Sequence, residues 1–233
     1  LVFYTNVFIV LIINLQQLEG YMDSNFWHQR WETNDIGFHQ RSVNPLLAEY
    51  FNTLSLAEGA RLFIPLCGKT LDIAWLLSKG YRVAGAELNQ PAVEQLFCEL
   101  GVEPRVTKLG ELICFSAENI DIFVGDIFDL STELLGDIDA IYDRAALVAL
   151  PEAMRKQYRA HLLEITHIAP QLLLTFEYDQ TVLEGPPFSI SSEDINQYYA
   201  DQYTLKRLKQ IEVPGGLKGQ CKASETIWLL SAI

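Results

Sequence analysis

The sequence predicts an α/β fold: a doubly wound, mostly parallel sheet of seven strands that ends in an antiparallel hairpin. Three observations predict it. The stretch "LFIPLCGKTLDIAWLLSKGYRVAGAELN", Leu62 to Asn89, reads as strand, tight turn, helix and strand, with an acid at the end of the second strand. From Met22 onward, apolar strands alternate with helices that open on Asn, Thr, Ser or Pro and often close on Gly, the pattern of a parallel sheet covered on both faces. The last two strand runs are joined by "PGGLKGQCKA", too short for a crossover helix, so they must pair antiparallel.

Taken in order, "SNFWHQRWE" is an N-terminal helix with Trp27 and Trp31 one turn apart on one side. The loop "NDIGFHQ" leads to a second helix, "NPLLAEYFNTL", capped by Asn44 with Pro45 at its first position. "RLFIPL" is apolar on both faces, as a strand buried within a parallel sheet must be. "TLDIAWLLSK" carries Thr70 as cap, Asp72 in the first turn, Lys79 in the last and Gly80 beyond, all in accord with the helix dipole. Strand "YRVAGAEL" and helix "PAVEQLFCELG" follow, and "ELICFSAENIDIFVGDIF" holds two short runs that include a hairpin-like insertion before the third parallel strand. "DIDAIYDR", the helix opened by Pro151, "QLLLTFEY", the loop "LEGPPFS" and a helix capped by Ser191 or Ser192 complete the alternation before the closing hairpin. No repeat or linker interrupts Met22 to Ile233, so residues 22–233 read as one domain.

Residues 1–21 are different in kind. "LVFYTNVFIVLIINL" is apolar over about fifteen residues, short for a spanning helix, and lacks the basic flank and cleavage site of a signal peptide. It reads as an extraneous extension. The formal charge of −13 repels polyanions, so neither nucleic acid nor an anionic membrane is an expected partner. Cys67, Cys98, Cys114 and Cys221 form no C-x-x-C pair and have no histidine at ligand spacing, so neither a metal site nor a disulfide framework is expected. A cytoplasmic monomer acting on a small molecule is the expectation.

The turn "PLCGKT" decides which ligand. A phosphate-binding loop needs a glycine where Phe63 stands, and Pro65 offers no N–H. A dinucleotide fingerprint needs two further glycines beside Gly68. An adenosine ligand without phosphate needs neither. S-adenosylmethionine fits, with Glu87 on the ribose hydroxyls and the backbone around Leu66 meeting the amino-acid tail. A solvated strand-end acid is the plain alternative for Glu87.

The runs "FWHQRWETNDIGFHQ", "LFIPLCGKTLDIAWL", "GAELN", "DIFDL", "IYDRAALVALP" and "GPPFS" together resemble the thiopurine S-methyltransferase family, particularly its bacterial members, in order across Met22 to Ile233. The resemblance implies a class I methyltransferase fold, S-adenosylmethionine as donor, and methylation of the sulfur of aromatic and heterocyclic thiols such as 6-mercaptopurine. It also implies cofactor contacts at Trp31, Leu66, Glu87 and Arg144, with Trp27 and Phe38 near cofactor and acceptor, and Asp126 and Ile127 against the adenine.

Aromatic faces attract a sulfonium, which suits Trp31 and Phe38, although both also read as an ordinary apolar surface. Arg144, at the end of the fourth parallel strand, can hold the donor's carboxylate or attract a thiolate, or can pair with Asp143 or another neighbouring acid. No certain catalytic residue emerges: a heteroaromatic thiol ionises without help, and His39 is a lone loop histidine. The "GPPFS" loop walls the acceptor end or merely connects, and Phe188 is a weak candidate there. Rival activities are a related methyltransferase acting on selenium or tellurium species, halide or another small thiol, a nicotinamide dehydrogenase, and a non-catalytic binding protein.

Overall fold

The computed structural model describes residues 24–37 and 39–233; the readings placed on residues 1–21 and on Phe38 lie outside the described residues. Five parallel strands form the centre: β1 (Arg61–Ile64), β2 (Arg82–Glu87), β5 (Ile120–Val124), β6 (Ala140–Asp143) and β7 (Gln171–Tyr178). The hairpin β8 (Tyr203–Glu212) and β9 (Ala223–Ala232) is antiparallel, with β9 lying between β7 and β8. Nine strands stand where seven were expected, in the order β3-β4-β5-β2-β1-β6-β7-β9-β8. The insertion ahead of β5 is a full hairpin, β3 (Arg105–Leu109) and β4 (Leu112–Ala117), added at the β5 edge. Strand β3 is almost wholly exposed, so its sequence carries no apolar run to announce it.

Helices α1 (Ser24–Glu32), α2 (Pro45–Tyr50), α3 (Leu71–Ser78), α4 (Gln90–Leu100), α5 (Thr132–Leu135), α6 (Glu152–Ile165) and α7 (Ser192–Tyr199) complete the fold among the described residues. Their ends follow their sequences. Asn44 accepts from the N–H groups of Leu46 and Leu47, Thr70 from Asp72, and Asn89 from Ala92. Ser191, rather than Ser192, caps α7 in a reciprocal capping box with Asp194. Gly101 closes α4 in the left-handed region.

Side chains alternate across each strand, so consecutive residues feed two different cores. Leu62 and Ile64 pack with Ile73, Leu76 and Phe97 from α3 and α4. Phe63 points the other way, into the layer of Tyr158 and Leu162 from α6 and Ile195 and Tyr199 from α7. The result is a helix–sheet–helix sandwich. Strand order reverses about β1, with β2 on one side and β6 on the other, so the crevice of an open α/β sheet must lie above the carboxyl ends of these strands.

Two core positions are under tight constraint. A Cβ at Gly85 in β2 would lie 2.7 Å from Ile122 Cδ1 and 2.9 Å from Cys67 Sγ. Asp143, fully buried at the end of β6, accepts from the N–H groups of Ala146 and Leu147 and from the Tyr158 hydroxyl at 2.7 Å. Burial pushes its pKa up from 3.8 to about 6 in spite of these three donors.

Gly85→Ala should therefore cost about 1–3 kcal/mol by overpacking, read as a lower urea midpoint with an unchanged slope. For Asp143, the folded-state pKa lies above the unfolded one, so the protonated fold is favoured. That contribution is complete below about pH 4 and is lost as pH rises through about 6. A two-unit shift corresponds to about 3 kcal/mol. Urea titrations of wild type and Asp143→Asn between about pH 4 and 7 should differ by a term of that order, with wild type losing more as pH rises. Parallel pH profiles would refute the assignment.

Candidate active site

Above the reversal point lies a cleft of about 1250 Å³. Each parallel strand delivers residues to it from its carboxyl end: the 65–70 loop after β1, Glu87 from β2, Asp126 and Ile127 after β5, Arg144 after β6, and Pro186 and Pro187 after β7. All seven described candidates, Trp27, Trp31, Leu66, Glu87, Asp126, Ile127 and Arg144, line it, and so does His39.

The turn after β1 is locked by its own backbone. Cys67 N–H continues the sheet by donating to Ala86 C=O at 2.9 Å. Gly68 N–H donates to Glu87 Oε2 at 2.7 Å, and Asn89 N–H donates to Glu87 Oε1 at 2.8 Å. Leu66 and Gly68 both take positive φ, +48° and +53°, a conformation costly for the leucine. Glycine at 68 serves a second purpose, since a Cβ there would stand 3.1 Å from Trp31 Cζ2. Glu87 is 7% exposed, and burial raises its pKa although the Asn89 and Gly68 N–H groups pull the other way.

This geometry bears directly on the ligand. A phosphate cradle needs several free backbone N–H groups. Here Pro65 has none, that of Cys67 is used by the sheet, and that of Gly68 is used by Glu87. Lys69, the lysine of the "GKT" triplet, pairs with Glu99 at 2.7 Å. Pro65 thus lacks a donor and two of the loop's N–H groups are already engaged, which leaves a poor cradle for a diphosphate. A ribose diol does find a partner, because a carboxylate has about four lone-pair sites and the backbone N–H groups around Glu87 do not fill them all.

Helix α1 roofs this end of the cleft. Trp27 and Trp31 face it, Arg30 pairs with Asp35 at 2.8 Å, and His28 Nδ1 lies 3.1 Å from Asn89 Nδ2. After β5, Asp126 Oδ1 accepts from Phe128 N–H, forming a short turn in which Ile127 is 6% exposed.

Arg144 lines the cleft just past the end of β6. Its partner is Asp72, with Nη1 at 3.4 Å from Oδ2, while Asp143 is engaged elsewhere. Asp72 is wholly buried and also accepts from the Tyr142 hydroxyl at 3.0 Å and from Asn44 N–H at 2.8 Å. Thr70 Oγ1 lies 3.3 Å from the same Arg144 nitrogen. Burial and the Asp72 charge push the Tyr142 phenol well above its ordinary value, so it remains a donor. Glu225 of β9 lines the same region; burial raises its pKa, partly offset by Arg144. Sequence reasoning treated Asp72 as a helix-dipole residue. The available signal was an acid in a helix whose other residues are nearly all apolar, since such an acid is buried and requires a buried partner.

The remaining wall is apolar: Val148, Met154, Phe176, Pro186, Pro187 and Val213, with Lys218 donating to Pro186 C=O at 2.8 Å. Burial, with Arg30 next, lowers the Lys218 pKa. His39 is likewise lowered, by burial and then Lys69, which favours neutral imidazole. Phe188 does not line the cleft: its ring stacks on Arg155 at 5.3 Å and its N–H bonds Val148 C=O. Among the described residues no group of acidic, histidine and cysteine side chains is arranged to hold a metal ion.

With this geometry in hand, comparison with known proteins is informative. The family model described as thiopurine S-methyltransferase matches residues 22–226. The thiopurine S-methyltransferase of Xanthobacter autotrophicus is 55% identical over 210 residues, covering 90% of this chain and 99% of the relative. Among solved structures, an S-adenosylmethionine-dependent methyltransferase from Anabaena variabilis superposes with TM-score 0.61 at 16% identity, covering 92% and 97% of the two chains. The Burkholderia thailandensis 1,6-didemethyltoxoflavin-N1-methyltransferase, solved with its substrate and S-adenosylhomocysteine, gives 0.60 at 16% identity over 89% and 86%. These structures show the fold, that of class I S-adenosylmethionine-dependent methyltransferases. The extent of the family match and the identity to its curated relatives show that this chain belongs to the thiopurine S-methyltransferase family.

Proposed function

We infer that the protein transfers a methyl group from S-adenosylmethionine to the sulfur of aromatic and heterocyclic thiols, thiopurines among them. The observation that carries the reading is the Glu87 junction, a cleft-lining acid at the end of β2 beside a loop in which Pro65 has no N–H and those of Cys67 and Gly68 are already engaged. That junction suits a nucleoside without phosphate. The family match from residue 22 onward supports assigning the activity to residues 22–233, with residues 1–21 as an extension outside that unit.

When bound, S-adenosylmethionine supplies a methyl group already activated on a sulfonium. The work left to this chain is holding, aligning and drying. Glu87 accepts from the ribose hydroxyls, the Leu66 backbone meets the amino-acid end, and Asp126 and Ile127 close on the adenine. Trp31 and Trp27 present aromatic faces to positive charge, and Phe38 belongs to the acceptor side. Arg144, held from behind by Asp72 and Thr70, places a cation in the cleft, where it binds the donor's carboxylate and favours a thiolate acceptor. An acceptor thiol that ionises near neutral pH requires no general base. The apolar wall of Val148, Met154 and the 186–187 prolines receives the flat ring.

All four cysteines are free, with Cys98 exposed, which supports a reducing cytoplasmic setting. No helix among the described residues is long and apolar enough to cross a membrane.

Glu87→Ala and Arg144→Ala should each weaken S-adenosylhomocysteine binding about ten- to hundredfold by calorimetry, the value of a charge-assisted hydrogen bond of about 1.5–3 kcal/mol. Wild-type affinity in both variants would remove these residues from the site. Because burial raises the Glu87 pKa, its acceptor form is lost at a higher pH than an ordinary carboxylate. Affinity should therefore fall on acidification before ordinary glutamates titrate, and Glu87→Gln should lack that step. A panel of a thiopurine, an aromatic thiol, selenite and halide, scored for methylated product, tests the acceptor class.

A further inference from the structure

Asn89 has three jobs at one point. Its main-chain N–H donates to Glu87 Oε1, its side-chain oxygen caps α4 by accepting Ala92 N–H at 3.0 Å, and its side-chain nitrogen meets His28 Nδ1 at 3.1 Å. The cap settles which way the amide faces. A backbone N–H can donate only to the amide oxygen, so the atom turned to His28 is the NH2, which donates and cannot accept. His28 Nδ1 must then carry a lone pair, and the ring proton of the neutral imidazole must sit on Nε2. Asn89 is 2% exposed, so water does not readily substitute for this contact.

We propose that His28, as the neutral Nε2–H tautomer, is the positioning residue that docks α1 and its two tryptophans over the cofactor loop. The inference rests on reading the cleft as the S-adenosylmethionine site. His28 does not line the cleft itself. It acts through Asn89, whose backbone also orients Glu87, so one residue couples the roof to the carboxylate beneath it. Trp31 reaches the same place from above, close enough to the Gly68 backbone that a single added carbon would crowd it. Helix α1 is short and polar on average, so helix propensity alone does not hold it there.

Three measurements test this. Nitrogen-15 spectra of histidine-labelled wild type, with His28 identified by its loss in His28→Ala, should show a protonated Nε2 and a bare Nδ1; a protonated Nδ1 would overturn the proposal. His28→Ala should weaken S-adenosylhomocysteine binding about three- to tenfold, the worth of one neutral hydrogen bond. His28→Asn, whose side-chain oxygen stands where Nδ1 stood, should recover affinity to within about twofold. If Ala and Asn both bind like wild type, the anchor is idle. If both weaken alike, ring packing matters and the acceptor atom does not, and the proposal fails again. Should wild type not bind the ligand at all, the cofactor reading fails separately. Amide exchange in α1, faster in His28→Ala and unchanged in His28→Asn, would still decide the docking.

Discussion

The site depends on a carboxylate taken out of water and compensated by backbone. Glu87 ends a strand buried on both faces, where a charge is expensive, and two N–H groups from different segments meet its two oxygens. That arrangement fixes the turn after β1, the start of α4 and the rotamer of the acid together. It also uses the Gly68 N–H while the sheet uses that of Cys67 and Pro65 has none, so fewer donors are left for a phosphate than a glycine-rich loop offers. A dinucleotide protein leaves its loop N–H groups free and needs more glycine to bring them close.

A second buried charge does comparable work from the other side of the reversal point. Asp72 is enclosed by α3 and β6 and has three kinds of donor: a phenol, a backbone N–H and the Arg144 guanidinium. A buried pair of this kind is weak evidence for stability, since desolvation consumes much of the attraction. Its value here is geometric. If the arginine swings out to solvent, Asp72 loses a cationic partner and keeps two neutral donors, so the pair favours a guanidinium held in the cleft. Pre-placement of this sort is how a protein supplies electrostatic help without reorganising at the moment of reaction.

How much of this was legible in the sequence follows from which forces leave local marks. The parallel strands, the caps at Asn44 and Thr70, and the closing hairpin were readable because apolar runs, capping residues and short connections act within a few residues. Strand β3 was not, because an edge strand exposed on nearly every side chain has no hydrophobic pattern to show. The candidate residues converge on one cleft because strand ends in this topology share a rim, which motif order alone predicts. Their partners were hidden. The choice of Asp72 over Asp143 for Arg144 turns on a separation of many residues and on Tyr158 claiming Asp143 first. The His28–Asn89 contact joins α1 to α4 across the whole first βαβ unit, and neither residue announces the other.

The cleft also divides by how its walls are made. The Glu87 end is built from strand termini whose backbone is already committed to the sheet, so its shape is set by the same bonds that set the fold. The wall proposed for the acceptor is built from the 186–187 prolines and the 213–218 segment, tied by contacts such as Lys218 to Pro186 C=O. Walls of the first kind discriminate sharply because moving them costs sheet hydrogen bonds. Walls of the second kind can be rebuilt by substitution without disturbing the core. On the proposed reading of the site, an enzyme with one rigid half and one adjustable half keeps its methyl donor fixed by the sheet while its range of thiol acceptors is set by the 186–187 and 213–218 loops.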